Sequence, residues 1–140
     1  MDMVIYNKSL PPVVLDTNIV IYSATEPFDI LSQIMELGFG KPLIIESIKK
    51  ELEKLSIKGS NKEKRNAKLA LKLCEKFELE PDPPISGNVD EKLLFLAKNK
   101  GYIIATCDSS IRKKLRELGL PVIYLKDGRL IAEVDIITKF

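Results

Sequence analysis

Short apolar runs alternate along the chain with longer segments of helical periodicity, and no other feature restricts the fold as strongly. Such runs, or short strand-like segments, lie at residues 13–15, 43–45, 77–79 (which contains Glu78), 102–106 and 122–125. Between them, apolar residues recur three or four positions apart, which is the spacing of one helix face. Alternating strands and helices favour a sheet covered by helices on both faces. We therefore predict an α/β fold, extended by a C-terminal hairpin at the turn signal Asp127-Gly128.

The composition describes an ordinary globular protein and excludes several kinds of chemistry. With 140 residues, 45% of them hydrophobic and 30% charged, the chain is long enough to bury a core as one domain over residues 1–140. It contains no histidine, so Ser-His-Asp catalysis, Cys-His catalysis and zinc binding through histidine are excluded. Any chemistry must therefore depend on carboxylates, lysine, hydroxyl groups or a metal ion.

Cysteine usage and the chain's N-terminal residues indicate where the protein works. Cys74 and Cys107 have no metal-ligand spacing, which favours a reducing environment. The N-terminal residues lack the pattern of a signal peptide, and no apolar run approaches the length of a membrane span. We therefore expect a cytoplasmic protein with no membrane partner. The net charge of +2 is too small to indicate nucleic acid as a partner.

A carboxylate ends the first apolar run and is followed directly by a helical segment. The stretch VVLDTNIVIY, residues 13–22, passes from three apolar residues to Asp16, Thr17 and Asn18, and then back to apolar residues. Asp16 or Asn18 could simply cap the helix, because both residue types are good N-caps. In open α/β sheets, however, ligands bind beyond the carboxyl ends of the strands. The role of Asp16 therefore depends on whether other carboxylates reach the same edge.

Asp108 and Asp90 are candidates for that edge of the sheet. Asp108 follows the buried run 102–106, so its carboxylate meets Asp16 if the two strands are neighbours. Asp90 stands at the start of a helical segment. Either residue could serve its own helix alone, because an acidic residue in the first turn interacts favourably with the helix dipole.

Glu51 gives an independent indication of an acidic site. Its helical position is about 60° from that of Ile48, at the edge of the apolar face that Ile48 and Leu52 share. A carboxylate at such an edge is costly unless another group pairs with it. Four carboxylates without cationic partners would repel one another, and a divalent cation relieves that repulsion. Oxygen ligands favour Mg²⁺ or Mn²⁺, as one or two ions, and such sites suit phosphodiester hydrolysis.

The order of these motifs resembles PIN-domain nucleases from near Val13 to Leu125. The segments that carry the resemblance are VVLDTNIVIY, IIESIKKELEKL, VDEKLLFLAKNKGYIIATCD and RKKLRELGLPVIYL. In detail the chain is most similar to archaeal PIN proteins related to the eukaryotic small-subunit rRNA-processing endonuclease. The resemblance implies a three-layer α/β/α sandwich with a mainly parallel five-stranded sheet. It also implies metal-dependent RNA cleavage that leaves a 5′-phosphate.

The resemblance further implies roles for particular residues. It assigns metal binding and catalysis to Asp16, Glu51, Asp90 and Asp108. It assigns supporting polar roles to Thr17, Asn18, Thr106 and Ser110. Cys107 and Ser109 stand where many relatives carry Asn and Arg, a departure that concerns substrate preference more than metal binding. We interpret Cys107 as a small packing residue, since nothing beside it would activate a thiolate.

Basic residues next to the predicted ligands are candidates for contacts with RNA phosphates. They are Lys49, Lys50, Arg112, Lys113 and Arg116. A second basic stretch, residues 58–72, is either a solvated helix face or a further RNA surface. Aromatic residues make up only 6% of the chain, so we expect little base stacking.

We predict a divalent-metal-dependent endoribonuclease that acts on structured or precursor RNA, in precursor-rRNA processing. Its partners would be RNA, precursor rRNA or ribosome-assembly factors, and the sequence leaves open whether the chain forms a homodimer. Two alternative functions are compatible with the same PIN fold. One is a toxin ribonuclease paired with an antitoxin, and the other is a PIN domain that binds RNA without cutting it. A signalling receiver domain fits poorly, because Asp16-Thr17-Asn18 lacks the paired acids that such a domain needs.

Overall fold

The computed structural model describes residues 10–134, whose strands form one six-stranded sheet. The strands are β1 (Val13–Leu15), β2 (Pro42–Ile45), β3 (Glu78–Glu80), β4 (Ile103–Thr106), β5 (Val122–Lys126) and β6 (Arg129–Glu133). Their order is β3-β2-β1-β4-β5-β6, and all neighbours are parallel except β5 and β6. The mainly parallel α/β sheet is confirmed. It has one strand more than the five expected, because the C-terminal hairpin adds β6 as an edge strand.

Six helices connect these strands. They are α1 (Thr17–Thr25), α2 (Ile30–Glu36), α3 (Glu46–Lys58), α4 (Asn61–Cys74), α5 (Val89–Lys100) and α6 (Ser109–Glu117). Helices α1, α3 and α4 pack against one another, α5 packs against α6, and β4 contacts helices of both groups. Right-handed crossovers put the two groups on opposite faces of the sheet, because the chain winds outward from β1 first in one direction and then in the other. Among residues 10–134, no helix is long and apolar enough to span a membrane.

The core lies along the middle strands of the sheet. Every residue of β1, β2 and β4 is buried, as the uninterrupted apolar runs predict for parallel strands covered on both faces. Strand β3 differs from the prediction. It begins one residue later than expected, at Glu78, and its first two residues are exposed because it is an edge strand.

The C-terminal hairpin forms at the predicted turn. Lys126 pairs directly with Arg129 across the two-residue loop. Asp127 and Gly128 adopt positive φ angles of 50° and 73°, the backbone that a type I′ turn requires. The single-domain prediction for residues 1–140 extends beyond the described residues and stays a prediction.

Strands β1 and β4 are parallel neighbours at the point where the strand order reverses. Leu15 lies opposite Ala105, and the backbone N–H of Asp16 donates a 2.9 Å hydrogen bond to the carbonyl of Ala105. Their carboxyl ends therefore open onto one crevice, the usual position of a ligand site in an open α/β sheet.

Candidate metal and RNA site

Asp16 is a buried carboxylate held by two hydrogen bonds. Its Oδ1 accepts a 2.8 Å bond from the backbone N–H of Thr17, and its Oδ2 accepts a 2.9 Å bond from the hydroxyl of Thr106. The side chain is 7% exposed. It serves as the N-cap of α1, so the capping role is real. Each carboxylate oxygen nevertheless keeps a free lone pair that can bind another group.

The electrostatic surroundings of Asp16 are unfavourable for its charge. Burial raises the pKa of Asp16, and the nearby charges of Asp90 and Asp108 raise it further, while the hydrogen bonds from Thr106 and Thr17 only partly offset these effects. None of the ion pairs among residues 10–134 includes Asp16. A buried anion without a cationic partner is therefore the central feature of this edge.

Thr106 links Asp16 to the start of α6. The same hydroxyl that donates to Asp16 accepts a 2.9 Å hydrogen bond from the backbone N–H of Asp108. Asp108 in turn caps α6, because its Oδ1 accepts a 2.7 Å bond from the backbone N–H of Ser110. The contact of Ser110 with Asp108 thus comes from its backbone rather than from its hydroxyl.

Glu51 and Thr17 approach the same crevice from α3 and α1. The sequence placed Glu51 at the edge of the apolar face of α3. In the structure its side chain points toward the crevice, but the residue is exposed, so its burial was overestimated. Partial desolvation nonetheless raises the pKa of Glu51, and the charges of Asp16 and Asp90 add to this, whereas the nearby Thr17 hydroxyl lowers it. The Thr17 hydroxyl is near Glu51 but not within hydrogen-bond geometry of it. It belongs to a residue that is 5% exposed, and its Oγ1 is buried without a partner.

Asp90 is half-buried in the first turn of α5 and lies close enough to raise the pKa of both Asp16 and Glu51. It is not the cap of α5. That role belongs to Asn88, whose side chain accepts a 2.9 Å hydrogen bond from the backbone N–H of Glu91. Asn18 is exposed on the first turn of α1.

The four carboxylates converge without forming a compact cage. Within the described range 10–134, no three acidic or cysteine side chains lie close enough together to hold a metal ion as they stand. The donor set still fits Mg²⁺ or Mn²⁺. It consists of oxygens alone, and it includes a buried carboxylate without a cation and the unpartnered hydroxyl of Thr17.

Four of the five predicted RNA contacts divide into two kinds, and the fifth, Lys113, is exposed on α6. Lys49 and Lys50 are exposed on α3, two positions and one position before Glu51. The two arginines of α6 instead bind Glu133 of β6, through N–O distances of 3.4 Å for both Arg112 and Arg116. The sequence did not reveal Glu133 as their partner, since only the hairpin register brings β6 beside α6.

A cavity with a volume of about 550 Å³ lies beside Arg116. Its lining consists of Lys113, Arg116, Glu117, Leu120, Glu133 and Val134. It includes none of the four carboxylates, and its lining charges are mixed. Arg112 also stacks on Tyr124, with its guanidinium carbon 3.5 Å from the ring centre. Both arginines of α6 are therefore held by contacts within the protein, a feature that the sequence did not suggest.

The interpretation of Cys107 as a packing residue is wrong. Cys107 is exposed between the end of β4 and the cap residue Asp108, because the chain leaves the core at Thr106. Its partial desolvation, together with the charge of Asp16, raises the pKa of its thiol. Cys74 is the buried cysteine, and burial raises the pKa of its thiol to about 11.

Comparison with known proteins identifies the family of this fold and site. The family described as PIN like domain matches residues 13–128. The chain is 36% identical over 125 residues to "Ribonuclease VapC9" of Archaeoglobus fulgidus, covering 89% of this chain and 90% of that protein. It is 27% identical over 133 residues to "rRNA-processing protein FCF1 homolog" of Homo sapiens, covering 89% of this chain but only 63% of that protein's length.

A solved structure shares the fold. The PIN domain endonuclease Utp24 superimposes with a TM-score of 0.71 at 24% identity, covering 90% of this chain and 95% of the other. The match over residues 13–128 includes β1, β4 and all four candidate carboxylates. This chain therefore belongs to the PIN-like domain family.

Proposed function

We propose that this protein is a divalent-metal-dependent endoribonuclease that hydrolyses phosphodiester bonds in structured or precursor RNA. The observation that carries the proposal is the carboxylate of Asp16, which is buried without a cationic partner among residues 10–134 and whose pKa is raised first by that burial and then by the charges of Asp90 and Asp108. Mg²⁺ or Mn²⁺, as one or two ions, would be held by Asp16, Glu51, Asp90 and Asp108. Bound there, such an ion lowers the pKa of a water molecule and stabilises charge on the scissile phosphate.

The other side chains of the crevice would hold this site in position. The Thr106 hydroxyl fixes Asp16 against the backbone of Asp108, so these two carboxylates keep their relative orientation. The free hydroxyl of Thr17 is available to a bound water or phosphate oxygen. Lys49 and Lys50 are exposed on α3, two positions and one position before Glu51, and would neutralise the phosphates of an RNA strand that runs along this helix.

For the cellular role we favour precursor-rRNA processing in the cytoplasm, with precursor rRNA or ribosome-assembly factors as partners. The similarity over 89% of the chain to a protein named for rRNA processing supports this role. The higher identity, 36%, to a protein named only as a ribonuclease supports a second candidate, a toxin ribonuclease held by an antitoxin. A neighbouring small gene for a DNA-binding protein, or growth arrest that this partner relieves, would favour the toxin.

The test is cleavage of a labelled structured RNA by the wild type and Asp16→Asn, with Mn²⁺ or Mg²⁺ and with chelator. Removing a metal ligand should lower the cleavage rate more than about 100-fold, since even residues that only support a ligand are worth about 10–100-fold. Asp29→Asn is the matched control, because Asp29 also caps a helix but lies at the exposed start of α2.

Each outcome of this assay has a defined meaning. Metal-dependent cleavage by the wild type and by Asp29→Asn, abolished in a folded Asp16→Asn variant, supports the proposal. Equal and metal-insensitive cleavage by all three proteins contradicts it. RNA binding without cleavage in the wild type assigns the chain to the non-cutting PIN domains instead.

A further inference from the structure

Helix α3, which carries Glu51, begins without a cap of its own. Its N-cap residue is Ile45, which has no side chain able to accept a hydrogen bond. The acceptor comes from the loop that follows β3. Asp82 Oδ1 accepts a 2.9 Å bond from the backbone N–H of Ser47, and Asp82 Oδ2 accepts the Ser47 hydroxyl. The carboxylate of Asp82 thus accepts a hydrogen bond from a backbone N–H group that has no partner within α3. It also places a negative charge at the positive end of the helix dipole.

The same carboxylate is tied to helix α5. Lys92 Nζ donates a 2.9 Å bond to Asp82 Oδ2 and a 3.1 Å bond to the Ser47 hydroxyl. The side chains of Lys92 and Asp82 are only 17% and 26% exposed. Burial alone would raise the pKa of Asp82, but the bonds from Ser47 and Lys92 outweigh burial and lower it. We call these three residues, Ser47, Asp82 and Lys92, the α3–α5 clasp.

The α3–α5 clasp joins the two helices within about one turn of two candidate metal ligands. Ser47 precedes Glu51 by four residues, which is one helical turn on nearly the same face. Lys92 follows Asp90 by two residues in the first turns of α5. Helices α3 and α5 do not otherwise pack extensively against each other. Among residues 10–134, the clasp therefore provides the hydrogen-bonded connection between the helix of Glu51 and the helix of Asp90.

We infer that the α3–α5 clasp is a positioning device that sets the separation of Glu51 and Asp90 for metal binding, with Asp82 as its central residue. This inference rests on the proposed function. The clasp residues touch neither metal nor RNA, and they act only through the two helices. Breaking the clasp should weaken metal binding by about tenfold, the effect typical of residues that support a ligand. It should leave the KM for RNA at saturating metal unchanged.

The variant Lys92→Met separates this inference from a plain electrostatic effect. Removing a positive charge near an acidic site strengthens cation binding by Coulomb attraction alone. Loss of positioning weakens it. The two explanations thus predict opposite signs for one substitution. Asp82→Asn and Ser47→Ala complete the set, and Ser47→Ala changes no charge. Lys92→Arg keeps the ion pair to Asp82 and should behave as the wild type.

The experiment is isothermal titration calorimetry of the full chain with Mn²⁺ in the absence of RNA, with thermal melting to confirm that each variant folds. Lys41→Met is the matched control, because Lys41 and Glu78 form a 2.7 Å ion pair that also joins distant segments but lies far more exposed, at 43% and 53%. A weaker Mn²⁺ affinity in Lys92→Met and Ser47→Ala, with Lys92→Arg and Lys41→Met unchanged, supports the clasp. The RNA cleavage rate of Lys92→Met should then recover as Mn²⁺ is raised.

Two results would overturn the inference, and they differ in what else they affect. Wild-type binding of Mn²⁺ with equal or tighter binding in folded Lys92→Met removes the positioning role and leaves the proposed nuclease site intact. A wild type that binds no Mn²⁺ removes both the clasp and the metal dependence of the proposed function. If Lys92→Met fails to fold, Ser47→Ala decides the question, since it keeps the Lys92–Asp82 pair.

Discussion

The hydroxyl of Thr106 donates a 2.9 Å hydrogen bond to Asp16, joining the carboxyl ends of the two central strands. Thr106 is fully buried and Asp16 is 7% exposed, so this hydrogen bond is shielded from water. The same hydroxyl accepts a hydrogen bond from the backbone N–H of Asp108. One side chain thus orients the first carboxylate of the site and fixes the turn that carries another.

Replacing Thr106 by valine should damage both stability and activity. Valine has the same shape but leaves the buried Asp16 Oδ2 without its donor, which should lower the free energy of unfolding by about 1–3 kcal/mol. Misorientation of Asp16, a proposed metal ligand, should lower the cleavage rate by about 10–100-fold. Denaturant unfolding and RNA cleavage at saturating Mn²⁺ measure the two effects. Thr106→Ser keeps the hydroxyl, and a rate for serine as low as that for valine would contradict this role of the hydroxyl.

Glu51→Gln should stabilise the metal-free protein. Partial desolvation, followed by the charges of Asp16 and Asp90, raises the pKa of Glu51, so its ionised form is repelled in the folded state. Removing the charge should raise the Tm in chelator by roughly 1–3 °C, the shift that a few tenths of a kcal/mol produce in a domain of this size.

The sign should reverse when Mn²⁺ is saturating, because the variant loses stabilisation by the bound ion. Glu53→Gln is the control, since Glu53 is exposed on the same helix but points about 200° away from Glu51 around its axis. A lower Tm for Glu51→Gln than for Glu53→Gln in chelator would count against a shared acidic site.

The raised pKa of Asp16 predicts the pH dependence of stability without metal. Burial first, and then the charges of Asp90 and Asp108, lift the folded-state pKa of Asp16 above its ordinary value of 3.8. The ionised carboxylate therefore costs stability above the folded-state pKa, and that cost disappears as the pH falls toward the unfolded value. Asp16→Asn should raise the Tm in chelator more near pH 8 than near pH 4.

The control for this pH dependence is Asp29→Asn, for which the opposite sign is expected. Hydrogen bonds from the side chain and backbone of Ser32 lower the pKa of Asp29. Its ionised form thus contributes stability that is present above the unfolded pKa and lost as the pH falls through the folded one. Asp29→Asn should lower the Tm near pH 8 and have less effect in acid. The same sign for both variants would refute the assignment of Asp16 as an uncompensated anion.

Exposed lysines of α3, rather than the arginines of α6, should bind most of the RNA phosphates. Lys49→Gln with Lys50→Gln should raise the KM for RNA several-fold and reduce the dependence of binding on salt, by about 0.7 in logarithmic slope for each phosphate that is no longer neutralised. Lys98→Gln on the exposed end of α5 is the control. Fluorescence anisotropy over a range of salt concentrations measures the slope. An unchanged slope in the double variant would rule out this surface.

The position of the crevice could be predicted from sequence because it follows from a strong pattern. Residues 13–15 and 102–105 are uninterrupted apolar runs, as is typical of central strands in a parallel sheet, and each strand is followed by a carboxylate within two residues of its end. Asp16 can meet Asp108 only if these two strands are neighbours, which the sequence alone did not establish. The pairing of β1 with β4 confirms it.

Contacts between distant segments could not be predicted in the same way. Asp82 and Ser47 are 35 residues apart, and the only local signal for their bond is the missing cap at Ile45. Glu133 reaches Arg112 only through the added edge strand β6. Helical angle gave the direction of Glu51 but not its exposure, since a residue beside an apolar face is covered only if another element packs over it. These features depend on tertiary packing, which periodicity does not encode.

The central claim is that Asp16, Glu51, Asp90 and Asp108 form one metal site, and anomalous X-ray diffraction from crystals grown with saturating Mn²⁺ tests it most directly. We predict an anomalous peak within coordination distance of the Asp16 carboxylate, shared with at least one of the other three carboxylates. We also predict that this peak disappears in Asp16→Asn crystals. A wild-type map with no peak beside Asp16, or with Mn²⁺ bound only elsewhere on the chain, would contradict the claim.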